Sequence, residues 1–477
     1  MTFTSADHAD DHTAVETRII EGRLEPGAPD WVYIPVDVPP GVAEIGVRYS
    51  YDQPEPTIGV PGNALDIGIF DPRGHEPRQA KGFRGWSGGA RDSFFLNDTE
   101  ATPGYLPGPI RAGTWHIVVG PYTVAPRGLA YRLEVTLRRG APGPAFTPRP
   151  APTRATGRGP AWYRGDLHLH TVHSDGRREP AELVAAARSA GLDFMVSTDH
   201  NTPSSTGIWG HHAPEDLLII NGEEVTTRNG HLIAAGLPAG TWIDWRFRAV
   251  DGVLPRVVGE LHEHGALAIA AHPFCPDVGC AWKFGFAEVD AVEVWNGPWT
   301  PDDEMSLRQW DAALVASDRR WLPAVGSSDS HDHSDAPGLG QTVVWADDLS
   351  PEAILSGVRA GRSYVAESAA VEVTFEARAN ARTARIGERL AVAPDVTVEC
   401  VVHVRGVPDG FVRFVTDEGS LAQLPLPVGG EGAVSWTTTA AVSKYVRVEV
   451  RHTPPQPTVF EGMAAFTNPI FLDPQAS

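Results

Sequence analysis

The stretch Asp166-Leu167-His168-Leu169-His170-Thr171-Val172-His173-Ser174-Asp175-Gly176 decides how the middle of this chain is read. It reads as a short strand over 166–170 that runs out into a loop. In a strand, residues i and i+2 face the same way. His168 and His170 therefore point together, as two ligands of one metal must. Asp175-Gly176 makes a turn that can bring a carboxylate back over the same mouth.

Working outward, the pattern repeats. A strand over 194–198 ends in Ser197-Thr198-Asp199-His200. A third ends in Asn221-Gly222-Glu223-Glu224, followed by Gly230-His231. The run 267–271 ends in His272-Pro273. The run 323–327 ends in Ser328-Asp329-Ser330-His331, where Asp329 and His331 repeat the i, i+2 geometry. Helices fall between the strands. Leu183, Val184, Ala187 and Ala190 share a face, with Pro180 suited to the first turn and Gly191 to the C-terminal cap. Leu254, Val257, Val258 and Leu261 give i, i+3, i+4, i+7 spacing. Thr300-Pro301-Asp302-Asp303 is a helix start, with a cap, a Pro and acids against the dipole. Alternating strands and helices imply a parallel sheet or barrel, and barrels build active sites at the C-terminal ends of their strands. Each cluster alone has a bland reading: His272 before Pro could be a satisfied buried imidazole, and Asp-His is a common surface pair. Five clusters at five successive strand ends point to metal.

The flanks read differently. Ile45, Val47, Tyr49 and Tyr51, then Leu65, Ile67 and Ile69, then Tyr131, Leu133, Val135 and Leu137 alternate with period two, as in an antiparallel sandwich. The same pattern returns at Val371, Val373 and Phe375, at Val398, Cys400 and Val402, and at Val446, Val448 and Val450. The expected organisation is a disordered start over 1–18, a β-sandwich over 19–139, a Pro-rich linker over 140–160, a metal-binding domain over 161–368, and an immunoglobulin-like β domain over 369–477. Neither flank holds a cluster of His and carboxylates, so both are expected to shape access and do no chemistry.

Composition removes other classes. The 477 residues carry a net charge of −21, and both nucleic-acid polymers and anionic membranes need a basic surface. No apolar run approaches a membrane span, and the N-terminus lacks the basic start and apolar core of a signal peptide. A cytoplasmic protein is expected, and a homo-oligomer is compatible with the sequence. Cys275 and Cys280 could pair if the loop between them folds back, but two free thiols are the favoured expectation. Cys400 completes the three cysteines.

In this order, His-x-His…Ser-Asp-Gly, Thr-Asp-His, Gly-x-Glu…His, His-Pro and Ser-Asp-Ser-His resemble the PHP (polymerase and histidinol phosphatase) metal-dependent phosphoesterases. Val292-Glu293-Val294-Trp295-Asn296-Gly297 and Arg359-Ala360-Gly361-Arg362-Ser363-Tyr364 further resemble the CehA/McbA branch. The likeness covers about residues 162–366. It implies an α/β fold, a distorted seven-stranded (β/α) barrel, here flanked by two all-β sandwich domains. It also implies nine ligand positions: His168, His170, Asp175, His200, Glu224, His231, His272, Asp329 and His331. Spacing alone does not choose between Glu223 and Glu224, and the family pattern picks Glu224. His211 and His212, in a loop near the mouth, could reach substrate. His262 and His264 read as solvated.

Two or three divalent ions (Mn, Zn or Fe) suit imidazole and carboxylate ligands. Ions about 3.5–4 Å apart can share a water and lower its pKa. Asp329 is the expected ligand and orienter of the resulting hydroxide. Arg178, Lys283 and Asn296 are loop candidates for holding substrate. Three divalent ions outweigh Asp175, Glu224, Asp329 and one hydroxide, which favours a small phosphate ester, mono- or diester. With two ions the charges cancel, and a carbamate or carboxylic ester is tolerated equally. A non-catalytic binding protein is the third reading, and the complete ligand set argues against it.

Overall fold

A computed structural model describes residues 15–55, 62–317, 320–454 and 461–474. The chain forms two compact units. The first takes in the chain up to Arg149 together with Val172–Asp175 and His200–Gly207, and the second holds the rest.

In the first unit the alternating runs form two four-stranded antiparallel sheets. One has the order Val15–Leu24, Leu129–Arg139, Val42–Tyr51, Ser93–Asn97. The other has the order Val32–Val38, Gly113–Thr123, Ala64–Phe70, Phe83–Gly88. Ile45, Val47 and Tyr49 of one sheet share a core with Leu65, Ile67 and Ile69 of the other. This is the sandwich that period-two alternation demands, because every second side chain must leave water. Val15 to Arg18, expected in a disordered start, lie in the first strand, while residues 1–14 of that expectation fall outside the described residues. The segments Val172–Asp175 and His200–Gly207 are gripped by the N-terminal sheets. Thr202 Oγ1 donates to the Gly104 carbonyl at 2.9 Å, the Gly104 N–H donates to Ser204 Oγ at 3.1 Å, and Arg91 donates to the Val172 carbonyl. Gly104 has φ +98°, and a Cβ there would come within 3.0 Å of the His173 carbonyl, so only glycine fits.

In the second unit one long sheet begins with the strands Ala324–Ser327, Ala291–Asn296, Leu267–Ala270, Gly230–Ala235, Leu218–Thr227, Phe194–Ser197 and Ala161–Asp166. Neighbours are parallel except Gly230–Ala235, which is antiparallel to both of its neighbours. The other six strands therefore run the same way, and their C-terminal ends share one side. Four α-helices form among the described residues: α1 Pro180–Ser189, α2 Leu254–Glu263, α3 Pro301–Ala316 and α4 Pro351–Arg359. α1 and α3 start at Pro180 and Pro301, where the sequence signals predict, and Gly191 follows the end of α1. The chain is nevertheless sheet-rich, and strand–helix alternation is incomplete. Leu218–Thr227 and Gly230–Ala235 form a hairpin, which needs no crossover helix. Short 3-10 turns replace an α-helix after Ser197, and irregular loops do so after Ala270 and Ser327.

Among the described residues, the two ends of the seven-strand run meet in one isolated parallel bridge, Leu169 with Ser330, and the ladders also run on past the run. They continue from Ala161–Asp166 through Gln341–Ala346 and Ser363–Ala366 into Met463–Thr467, Tyr445–His452, Gly410–Thr416 and Gly419–Pro425. A separate four-stranded sheet, Arg382–Arg385, Glu372–Ala379, Thr397–Arg405 and Gly432–Thr439, packs on this extension. Phe375, Val398, Cys400 and Val402 meet Phe414, Val448 and Val450 in their common core.

Polar clamps fix the extension to the strands at Ala324 and Ser363 and to α3. Buried Asn468 accepts the Ala324 N–H at 2.8 Å and donates to the carbonyls of Ala324 and Ser363 at 2.9 and 3.0 Å. Arg447 bonds Asp311 of α3 and Glu449, both at 2.8 Å. Arg451 bonds Glu449 at 2.8 Å and Glu304 of α3 at 2.9 Å. Among the described residues no helix is long and apolar enough to cross a membrane.

Glu449 is the shared acid of two buried arginines, and removing one partner of a buried ion pair costs about 3–5 kcal/mol. Glu449→Ala is expected to lower the thermal midpoint by several degrees, whereas Glu21→Ala, which breaks the exposed pair with Arg132, leaves it nearly unchanged. Calorimetry of both variants checks the contrast.

Candidate metal centre

The loops that carry the candidate ligands are locked by hydrogen bonds of their own. Asp166, fully buried at the end of its strand, accepts the N–H groups of His168 at 3.2 Å, Ser328 at 3.1 Å and Gly338 at 2.7 Å, and the Ser328 hydroxyl at 2.5 Å. Thr198 Oγ1 accepts the Leu169 N–H at 2.9 Å, and Asp199 accepts the Thr171 N–H at 2.8 Å. The His170 N–H reaches the Ser330 carbonyl at 3.2 Å, and the Asp329 N–H reaches the His168 carbonyl at 3.0 Å. The His-x-His and Asp-Ser-His segments are thus stitched together by backbone.

Four donors then converge. His168 Nε2 lies 3.1 Å from Glu224 Oε2 and 3.2 Å from Asp329 Oδ1. His170 Nε2 lies 3.3 Å from Glu224 Oε2 and 3.0 Å from Asp329 Oδ1. Glu224 turns its other oxygen, Oε1, to His231 Nδ1 at 2.8 Å and His272 Nε2 at 3.1 Å. Glu223, one residue earlier on the strand, faces the other way and accepts the Ile243 N–H at 3.1 Å. His331 stacks on His170 with ring centroids 4.1 Å apart, and its Nδ1 meets the Asp329 carbonyl oxygen at 2.7 Å. Asp175 and His200 pair with each other at 3.5 Å within the first unit.

The three substrate candidates part company. Asn296 comes to the centre, where its Nδ2 donates to Glu293 at 3.1 Å and to Asp329 Oδ2 at 3.3 Å. Arg178 is a buried brace, bonded to Ser330 Oγ at 2.6 Å and to the Asp335 carbonyl at 2.8 Å. Lys283 is exposed on the rim of a cavity of about 690 Å³ that is also lined by Pro273, Phe274, Trp282 and Phe286. Cys275 and Cys280, favoured as free thiols, form a disulfide. Turns at Cys275 N–H to the His272 carbonyl and Cys280 N–H to the Asp277 carbonyl fold the loop back, which spacing does not reveal.

No family model matches the chain. Over 148 residues it is 27% identical to MJ1587, an uncharacterized protein of Methanocaldococcus jannaschii, covering 28% of this chain and 81% of that one. The fold is similar to a two-domain protein from Bacteroides vulgatus that contains a predicted PHP-like metal-dependent phosphoesterase. The TM-score is 0.38 at 17% identity, over 69% of this chain and all of the other. It is also similar to an amidohydrolase from Chromobacterium violaceum with bound sulfate and no metal, with a TM-score of 0.28 at 19% identity, over 36% of this chain and 89% of that one.

The donor set fits a divalent ion on its own geometry. Bonds of about 2.0–2.1 Å to imidazole nitrogen and carboxylate oxygen give tetrahedral edges of about 3.3 Å. The four edges around His168, His170, Glu224 and Asp329 are 3.0–3.3 Å. Two of the candidate ligands sit on left-handed backbone, Asp329 at φ +51° and His272 at φ +25°. Such conformations cost about 1–3 kcal/mol each and persist where the surroundings impose them.

Electrostatics agree. Burial penalises a charged His168, yet the carboxylates of Asp329, Glu224 and Glu293 outweigh it and hold its pKa well above the ordinary 6.5. Burial also opposes a charged Asp329, and His168, His170 and His331 outweigh that and hold it well below the usual range. The buried imidazoles and carboxylates thus hold one another in their charged forms.

Glu293 is the residue that the sequence reading missed. It is fully buried, accepts the His272 N–H at 2.8 Å and lies 3.1 Å from His168 Nδ1. A carboxylate on Nδ1 fixes the tautomer that points Nε2 at the centre. Its signal was in plain view within Val292–Gly297, as an acid in an otherwise apolar strand.

Glu293→Gln is expected to weaken metal binding by about 10–100-fold while leaving the fold intact. Competition titration against a chelator, with circular dichroism on the same sample, reads both. Because an ion must displace the His168 proton, affinity should rise with pH across neutrality, by about tenfold per unit for each proton released. A flat pH profile would refute the proton displacement.

Proposed function

We propose that this chain is a metal-dependent hydrolase of the PHP type that cleaves a small phosphate ester. The observation that carries the reading is Glu224, one buried carboxylate whose oxygens serve two groups of imidazoles, His168 with His170 and His231 with His272. A carboxylate between two donor groups is what a centre of two or three divalent ions requires. His168, His170, Glu224, His231, His272, Asp329 and His331 are the ligands assigned within the second unit. Asp175 and His200 join them on the sequence pattern alone. The parallel bridge that pairs Leu169 with Ser330, at opposite ends of the seven-strand run, supports the barrel reading for residues 161–368.

When bound, divalent ions supply Lewis acidity and water activation. The chain's own groups set the rest. Asp329, steadied through Oδ2 by Asn296, would present Oδ1 to the centre as a ligand and orient the attacking water. Glu293 keeps His168 Nε2 turned inward. Strained backbone at Asp329 and His272 holds both side chains in place without reorganisation, which is where preorganised sites gain their rate.

Protein purified without chelator is expected to contain two or three divalent ions per chain by elemental analysis, and a content well below one would refute the centre. Asp329→Ala and His168→Ala should each lower turnover at least about a hundredfold without unfolding the chain. Matched nitrophenyl phosphate and nitrophenyl acetate separate the substrate classes. A higher kcat/KM for the phosphate is expected, and a clear preference for the acetate would assign the site to carboxylic esters or carbamates.

A further inference from the structure

His272 has two ring nitrogens, and the centre uses one. While Nε2 faces Glu224, Nδ1 lies 3.2 Å from Cys280 Sγ. The His231 ring meets the His272 ring edge to face at 5.0 Å. One donor atom each from His231, His272 and Cys280 lies within 4.8 Å of the others, and all three residues are buried. Cys280 is bonded to Cys275, whose side is more open to solvent.

The loop does not depend on the disulfide for its place. The Gly230 N–H bonds the Gly279 carbonyl at 2.9 Å, the Trp282 N–H bonds the Pro273 carbonyl at 3.0 Å, and the Lys283 N–H bonds the Asn229 carbonyl at 2.9 Å. Gly230 carries φ +112°, and a Cβ there would meet Trp282 Cα at 2.5 Å, so the hairpin and the loop are in backbone contact. Anchors thus flank Cys280 on both sides and reach the hairpin that bears His231. Opening the disulfide leaves Sγ where it is.

We propose that Cys280, released from Cys275 by a dithiol reductant, forms with His231 and His272 a thiolate–imidazole site for a thiophilic divalent ion such as zinc, and that the disulfide closes this site. A thiolate of the reductant attacks Cys275 Sγ, the accessible sulfur. The Cys275–Cys280 bond breaks, and its electron pair leaves on Cys280 as thiolate. The second thiol of the reductant then displaces Cys275, which leaves as a thiolate and is protonated, and the reductant ends as a disulfide. A disulfide sulfur is a poor ligand, whereas a thiolate is the soft donor that zinc prefers. Disulfides of reducing compartments are mostly redox-linked. The site shares His231 and His272 with the proposed hydrolytic centre but does not require the chain to be a hydrolase. Because both imidazoles also face Glu224, the state of Cys280 sets the metal preference at that end of the cluster.

Cobalt(II) titration of the full-length protein tests the proposal, with the reduced sample prepared by a phosphine that is removed before metal is added. Reduced protein should show a thiolate-to-cobalt charge-transfer band in the near ultraviolet that oxidised protein lacks. Cys275→Ser should show the band without reductant, Cys280→Ser should lack it, and Cys400→Ser should keep it. The lack of a band in reduced wild type and in Cys275→Ser would overturn the site, as would a band that survives Cys280→Ser. Turnover of oxidised, manganese-loaded protein is read separately. Its absence beside an intact cobalt band would sink the hydrolase reading and leave this site standing.

Discussion

Glu224 is buried, and its two oxygens divide four imidazoles between them. A carboxylate taken out of water is stable only where positive charge meets it. That need accounts for much of what surrounds it. His168 and His170 must share a side, so they stand two residues apart. His231 must return to the same carboxylate, so it follows directly in the hairpin partner of the Glu224 strand. Asp329 must meet both histidines, so the end of its strand is bonded by backbone to theirs. Asp166 closes the arrangement from below, accepting from both segments at once.

The parts of this that depend on local period were legible in the sequence. The i, i+2 histidines, the helix starts at Pro180 and Pro301, and the alternating runs around Ile45 and Leu133 each follow from residues close in the chain. Glu224 over Glu223 could not be settled by spacing, because adjacent strand residues face opposite sides and nothing local says which side is the mouth. Glu293 and Asp166 were overlooked because their partners lie far along the chain: His168 is 125 residues before Glu293, and Ser328 is 162 residues after Asp166. Arg178 and Lys283 were read as substrate contacts from charge alone. Their bonding partners, or their absence from the centre, are properties of three dimensions. The disulfide depends on a turn over Pro276, Asp277 and Gly279, residues that favour a turn but do not say that it brings two sulfurs together.

The β-rich C-terminal region was read as a separate module, and its period-two strands are present. What the sequence concealed is a pairing. Ser363–Ala366, which closes the central run, bonds to Met463–Thr467 almost a hundred residues later. Edge-to-edge pairing leaves no mark in either segment, since both are simply apolar. The charged contacts of α3 with Arg447 and Arg451 reinforce the joint, and Asn468 reaches the strand that leads to Asp329.

That shared sheet bears on how the chain can be divided. A protein ending near Ser368 would present Ser363–Ala366 as an exposed edge strand, with a row of unpaired N–H and C=O groups over apolar side chains. Such an edge is a template for pairing with other chains. It would recruit a neighbour, by aggregation or by swapping, in place of the strand it lost. The C-terminal β region is therefore a protecting edge cover for the central sheet, and domain shuffling in this architecture would have to carry the two together.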